Sequence, residues 1–209
     1  MQNKDVSAIL FDWHGVLDII RFEWVVDHIF HNYNKAHIDR DEIRQIMMGI
    51  GFNDFTKGNM IATKFWNILS EVFHFDSLSS VRDIVLSVKR NESLWEHLGS
   101  LHKYRIGLLS DCPRDKREKI LMDIRHADPF EFKLFSCSTH TTKEQDEFFL
   151  EASARFNLSP GKILFVDDSI KNIEKARSLG FNTFHFNWTN ASEIKSKTKE
   201  FFNSLDIAV

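Results

Sequence analysis

The residues best suited to chemistry stand at the ends of apolar runs. Asp12 stands where Ile9-Leu10-Phe11 stops, Ser110 and Asp111 follow Ile106-Gly107-Leu108-Leu109, and the adjacent carboxylates Asp167 and Asp168 follow Ile163-Leu164-Phe165-Val166. Lys143 opens a helical pattern after a further run, Phe132 to Cys137. In an open parallel sheet the crevice lies beyond the carboxyl ends of the strands, so a carboxylate placed there faces a pocket instead of a core. The Asp167/Asp168 pair is the least common of these patterns, because neighbouring carboxylates repel unless a cation joins them. Mg²⁺ suits such a pair, since it takes one or two carboxylates with water and a substrate phosphate in preference to a full protein cage. Lys143 would neutralise charge gathered above the sheet, and Ser110, Asp111 and Lys143 are the candidates for holding an anion. Each of the last three is a weak signal alone; their order along successive strand ends gives them weight.

Strands must deliver these residues to one edge. Buried-strand patterns run over 6–11, 104–109, 132–137, 162–166 and 182–186, and helix-period stretches over 114–123, 144–156 and 170–179 separate most of the later ones. Strands alternating with single helices imply right-handed crossovers and a parallel sheet covered on both faces, the α/β class. Gly180 and the Ser159-Pro160-Gly161 turn mark helix and strand boundaries.

The alternation is interrupted between the first two strands. There Phe22, Val25, Val26, Ile29, Phe30 and Tyr33 recur at helical spacing, as do Ile61, Phe65, Ile68, Leu69 and Val72, then Val81, Ile84, Val85 and Val88. These read as core faces of a small all-helical bundle inserted over the crevice, where it would exclude water. The chain thus divides into a core of residues 1–17 and 93–209 and a helical insertion of residues 18–92, with Gly49-Ile50-Gly51 its most flexible turn. A last helix carrying Ile194, Phe201 and Leu205 along one side is expected to pack back on the sheet.

The bulk composition excludes several classes. The 209 residues are 43% hydrophobic and 27% charged, ordinary for a globular protein, although 20 Phe is high. No run of about 18 apolar residues could span a membrane, and the amino terminus lacks the apolar stretch of a signal peptide, so a cytoplasmic location is expected. A net charge of −3 without a basic stripe leaves no footprint for nucleic acid. A small-molecule partner is expected instead; the oligomeric state is not legible. Cys112 and Cys137 lack metal-site spacing and are too few for a disulfide framework.

Taken together, Phe-Asp-x-x-Gly-Val-Leu at 11–17, Leu-Leu-Ser-Asp at 108–111, Lys143 with Phe149 and Ala152 after it, and Phe-Val-Asp-Asp-Ser-x-x-Asn-Ile at 165–173 resemble the four motifs of the haloacid dehalogenase superfamily. That resemblance implies a doubly wound, Rossmann-like sheet with a helical cap, and hydrolysis of a small phosphorylated metabolite. It implies that Asp12 attacks a phosphate monoester to form an aspartyl phosphate, with Ser110 and Lys143 supporting the phosphoryl group. It also implies Mg²⁺ held by Asp12, Asp168 and the main-chain carbonyl of His14, with Asp167 a direct or adjacent partner and Asn172 orienting the set.

The chain departs from the pattern at His14, where family phosphatases carry a second aspartate that moves the proton. An imidazole with an ordinary pKa of about 6.5 can shuttle protons, though a nearby Mg²⁺ would disfavour its charged form. Losing a general acid or base costs roughly 10² to 10⁴ in rate. Three readings follow: an active phosphatase using His14, an impaired member that binds phosphorylated ligands or a partner, and C–P or C–halogen hydrolysis. Against the last, Phe52 stands where phosphonatases place a Schiff-base lysine, and dehalogenases need no acidic pair. His14 could also be a structural residue bonded to the cap. Trp13 is open to a pocket or a core reading.

Overall fold

The computed structural model describes residues 6–33, 38–75 and 78–209. The first five residues, on which the expectation about a leader rests, lie outside them. Among the described residues, five parallel strands form one sheet in the order β3-β2-β1-β4-β5. They are β1 (Ala8–Phe11), β2 (Arg105–Ser110), β3 (Phe132–Phe135), β4 (Ile163–Asp167) and β5 (Asn182–His185). The chain winds outward from β1 through β2 and β3, then returns to the other side of β1 with β4 and β5. The switch point therefore lies between β1 and β4, the place where doubly wound sheets bind ligands.

Alternate β1 side chains serve opposite faces. Ile9 and Phe11 join the core that holds Leu108, Val166, Ile120 and Phe201, whereas Ala8 and Leu10 join Phe148, Phe149, Phe165 and Ile173. Because both faces are covered, the strand reads as an unbroken apolar run. The covering helices are α6 (Glu92–Trp95), α7 (Arg114–Ile124), α8 (Ser136–Thr139), α9 (Asp146–Phe156), α10 (Ile170–Ser178) and α11 (Ile194–Ser204), following the five of the insertion described next. As expected, α11 packs back on the sheet, its Phe201 ring 5.6 Å from that of Phe11. β3 stops at Phe135, two residues earlier than its apolar pattern predicts. There the Ser136 hydroxyl donates to the Thr56 carbonyl and accepts from the Cys112 amide, and the chain turns into α8.

The insertion comprises α1 (Phe22–Tyr33), α2 (Arg40–Gly49), α3 (Phe52–Thr56), α4 (Ala62–Phe73) and α5 (Leu78–Leu86). It has a hydrophobic cluster of its own around Ile29, Met47, Phe55, Phe65 and Trp66. Phe55 and Phe65 stack with ring centres 4.2 Å apart, and a capping box of Asp39 and Glu42 starts α2. Two residues expected on the buried face of α4 are not there: Ile61 is 71% and Val72 42% exposed. The buried stripe runs through Phe65, Trp66, Leu69 and Phe73, a rotation toward Trp66 that leaves both residues at its flank.

The chain enters and leaves this layer side by side. Ile19 donates to the Lys89 carbonyl at 2.8 Å and Asn91 to that of Leu17 at 2.9 Å. Beneath the crossing, Asp18 accepts from Ile20 N, Lys89 N, Trp13 Nε1 and the Lys116 ammonium, the last at 3.0 Å. Lys116 also donates to the Ser87 carbonyl. Asp18 and Lys116 are both buried.

Candidate active site at the sheet switch point

Strand register brings the carboxylates together. Phe11 pairs with Val166, and Asp12 N donates to the Val166 carbonyl at 2.9 Å, so Asp12 leaves β1 level with Asp167 at the end of β4. One carboxylate oxygen from each of Asp12, Asp167 and Asp168 lies within 4.8 Å of the others. Burial holds the Asp12 carboxyl well above the usual carboxylate range, against the pull of Lys143 and with Asp167 and Asp168 pushing the same way. Burial, and then Asp167, raises Asp168 to about 6. These three carboxyls have only Lys143 and Arg21 as cationic partners among the described residues, and a divalent cation would supply the missing positive charge; the donor set is all oxygen, which fits Mg²⁺.

Lys143 reaches the same point from the loop before α9. Its ammonium lies 2.6 Å from Asp12 Oδ1 and 2.8 Å from Asp167 Oδ2. Burial opposes its charge, yet Asp12, Asp167 and Asp111 outweigh burial and hold its pKa above the ordinary lysine range. Asp167 is further fixed by Ser169 N at 2.8 Å and by Asn172 Nδ2 at 3.1 Å on both oxygens. The Asn172 carboxamide thus orients Asp167 directly.

Ser110 ends β2 with its Oγ fully enclosed and without a hydrogen-bond partner among the described residues. A buried hydroxyl left unpaired costs about 1–3 kcal/mol, which an anion accepting from it would recover. The Thr142 hydroxyl, which lines the cavity next to Lys143, is unpaired in the same way. The side chain of Asp111 turns to the backbone instead, accepting from Lys143 N at 3.2 Å. It positions the lysine loop, and burial raises its pKa to about 6 against the pull of Lys143. A carboxylate side chain so engaged is ill suited to the anion-binding role considered for this residue.

His14 follows two residues after Asp12, half-buried on the cavity wall, and its ring makes no hydrogen bond among the described residues. Burial first, then Lys116 and Lys143, hold its pKa well below the ordinary histidine value. Gly15 has φ +70°, and a Cβ there would come within 2.2 Å of Asp168 Oδ2, so only glycine lets this carboxylate approach the Asp12 loop. Trp13 belongs to the core: it is fully buried, with Nε1 donating to Asp18 at 3.0 Å. Both cysteines are buried and free.

Arg21 is the site residue that the sequence did not disclose. It lies on the connection into α1, donates through Nε to Asp168 Oδ2 at 2.7 Å and through Nη1 to the Trp188 carbonyl at 2.6 Å, and lies over the Trp188 ring. Nothing local in Ile20-Arg21-Phe22 marks it, because its partners are far along the chain. Two arginines of the insertion are engaged in ion pairs: Arg40 with Asp27, and Arg44 with Glu23 and Asp41. His140 donates to the Lys57 carbonyl at 2.9 Å, tying a core loop to the α3–α4 turn. Between sheet edge and helical layer lies a cavity of about 250 Å³, floored by Asp12, His14, Thr142 and Lys143.

A family model described as haloacid dehalogenase-like hydrolase matches residues 6–180, and the chain belongs to that family. No curated protein matches significantly in sequence. Among solved structures, the haloacid dehalogenase family enzyme bt-2542 of Bacteroides thetaiotaomicron is 21% identical with a TM-score of 0.71, over 91% of this chain and 98% of that one. A structure of that enzyme in complex with magnesium and inorganic phosphate is 19% identical with a TM-score of 0.66, over 86% and 93%. A haloacid dehalogenase-like hydrolase of Porphyromonas gingivalis is 23% identical with a TM-score of 0.67, over 94% and 98%. L-2-haloacid dehalogenase of Xanthobacter autotrophicus is 16% identical with a TM-score of 0.58, over 85% and 76%. At these identities the structural likeness speaks for the fold. No helix of the described residues is long and apolar enough to cross a membrane.

Proposed function

We propose that this hydrolase is a Mg²⁺-dependent phosphatase that cleaves a small phosphorylated metabolite through an aspartyl phosphate on Asp12, beneath a cap formed by residues 18–92. The observation that carries the reading is the convergence of Asp12, Asp167 and Asp168 oxygens within 4.8 Å beside a buried ammonium. The magnesium and phosphate complex of the bt-2542 enzyme supports it. Asp12 and Asp168 with the main-chain carbonyl of His14 would hold Mg²⁺, Asp167 standing beside them. Bound there, the ion would supply positive charge to offset the gathered carboxylates and the transferring phosphoryl group.

The protein's own groups then divide the work. Asp12 attacks phosphorus in line, the bond from phosphorus to the ester oxygen breaks, and the leaving group departs as its oxyanion and takes a proton from water. Lys143 and the unpaired Ser110 hydroxyl neutralise and position the phosphoryl oxygens, and the helical layer keeps bulk water out. His14, kept neutral by its surroundings, accepts a proton from the water that hydrolyses the aspartyl phosphate, and is a poor acid toward the leaving alcohol. Good leaving groups are therefore favoured. The replacement at His14 also motivates a second reading, a member that binds phosphorylated ligands with little turnover.

Turnover of p-nitrophenyl phosphate separates these readings. The expected result is Mg²⁺-dependent hydrolysis by the wild type, abolished in Asp12→Asn and retained or raised in His14→Asp. Activity confined to His14→Asp would favour the binding module, and halide release from a haloacid without Mg²⁺ would favour dehalogenation.

A further inference from the structure

We infer that the leaving group is a compact, uncharged and largely apolar alcohol, so that neither sugar phosphates nor substrates with a second anionic group fit this site. The inference rests on the phosphatase reading and adds the substrate class. Its first support is size. A cavity of about 250 Å³ falls below the roughly 300–1,000 Å³ of sites for drug-sized ligands, and part of it must take the phosphoryl group.

The second support is charge. Four cations line the cavity among the described residues: Arg21, Lys116, Lys143 and Lys171. Arg21 is bonded to Asp168 at 2.7 Å, Lys116 to Asp18 at 3.0 Å, Lys143 to Asp12 and Asp167 at 2.6 and 2.8 Å, and Lys171 at the rim to Glu144 at 2.7 Å. Every lining cation thus faces a carboxylate; Arg21, which Mg²⁺ on Asp168 would loosen, stays held by the Trp188 carbonyl at 2.6 Å and over the Trp188 ring, away from the roof. A buried anion without a partner is strongly disfavoured.

The third support is the composition of the roof. Ile20, Phe22, Val25, Phe52 and Val85 face the cavity from the connection and the helical layer. Of the roof's two uncharged polar residues, Thr56 spends its hydroxyl on the Asn53 carbonyl at 3.0 Å. The Asn53 carboxamide is the roof's one polar side chain without a partner among the described residues; the unpaired Thr142 hydroxyl and His14 ring lie on the floor beside Lys143, where the phosphoryl group sits. A polyol would leave most of its hydroxyls unpaired against this wall, whereas an alkyl or aryl group buries its surface there.

The test is calorimetric binding, with Mg²⁺ present, of n-butylphosphonate, its trihydroxylated analogue and its terminal carboxylate analogue. The wild type is expected to bind the butyl compound at least about tenfold more tightly than either, a difference of about 1.4 kcal/mol. Val85→Lys, which places a cation in the roof, should shift the preference toward the carboxylate. Val85→Thr, nearly identical in shape, should narrow the gap to the triol. Equal or tighter wild-type binding of the triol or carboxylate overturns the inference. Should the butyl compound bind best while phenyl phosphate, an apolar ester with a good leaving group, is not hydrolysed, the inference stands and the phosphatase reading falls; should phenyl phosphate be cleaved while the triol binds equally well, the reverse holds.

Discussion

Two buried charge clusters lie on either side of the β1–α1 connection, and they are built on opposite plans. At the crossing into the helical layer one carboxylate, Asp18, meets one ammonium, Lys116; both Asp18 oxygens accept hydrogen bonds, and Lys116 donates to Asp18 and to the Ser87 carbonyl. At the switch point three carboxylates, Asp12, Asp167 and Asp168, share the two cations Lys143 and Arg21, beside an unpaired Ser110 hydroxyl and an open cavity. The first is closed and neutral, which suits a joint. The second has an excess of negative charge and an unused donor, an arrangement that costs stability unless something else binds. Burial alone does not separate structural from chemical charges; the degree of satisfaction does.

The comparison is broken most strongly at its neutral member. Asp18→Asn leaves the Lys116 ammonium buried without its partner, and the expected loss is about 3–5 kcal/mol in a urea unfolding curve. Turnover per folded molecule should fall far less than in Asp12→Asn, since Asp18 itself does not line the cavity and acts there only through Lys116. A stability loss below about 1 kcal/mol would mean that water or a shift of Lys116 relieves the charge, and that the joint is less closed than its hydrogen bonds indicate.

A smaller effect is expected at the margin of the open cluster. The Asp111 carboxyl has a folded-state pKa of about 6 against an ordinary 3.8. A raised carboxyl stabilises the fold fully below the unfolded pKa and loses that contribution as pH rises through the folded one. Wild type should therefore lose stability relative to Asp111→Asn as pH rises from about 4 to about 7, by at most about 3 kcal/mol. Parallel pH dependence of the two proteins would show that Asp111 ionises normally.

Much of this was legible along the chain, and the reason is physical. Parallel strands buried on both faces must be apolar throughout, so β1, β2 and β4 announce themselves, and a carboxylate immediately after such a run can only lie at the carboxyl edge. Asp12, Ser110 and Asp167/Asp168 were found that way, and Lys143 from its place at the opening of a helical pattern, although the helix itself begins only at Asp146. Arg21 and the Asp18–Lys116 pair were not, because their partners are 147 and 98 residues away and only the folded chain brings them together. Helical phase misled at Ile61 and Val72, where a small rotation of α4 carries apolar residues to its flank. For Asp111 the sequence gives its position at the sheet edge but not the turn of its side chain toward Lys143 N.

The central claim is that a carboxylate nucleophile and an acidic pair meet around one divalent cation. It is tested most directly by a crystal structure determined with Mg²⁺ and beryllium trifluoride, a mimic of a phosphoryl group on a carboxylate. The account predicts the fluoride adduct on Asp12, within reach of Lys143 and Ser110, and a cation bound by Asp12 and Asp168. An adduct elsewhere, or Asp168 still held by Arg21 with no cation beside Asp12, would contradict it.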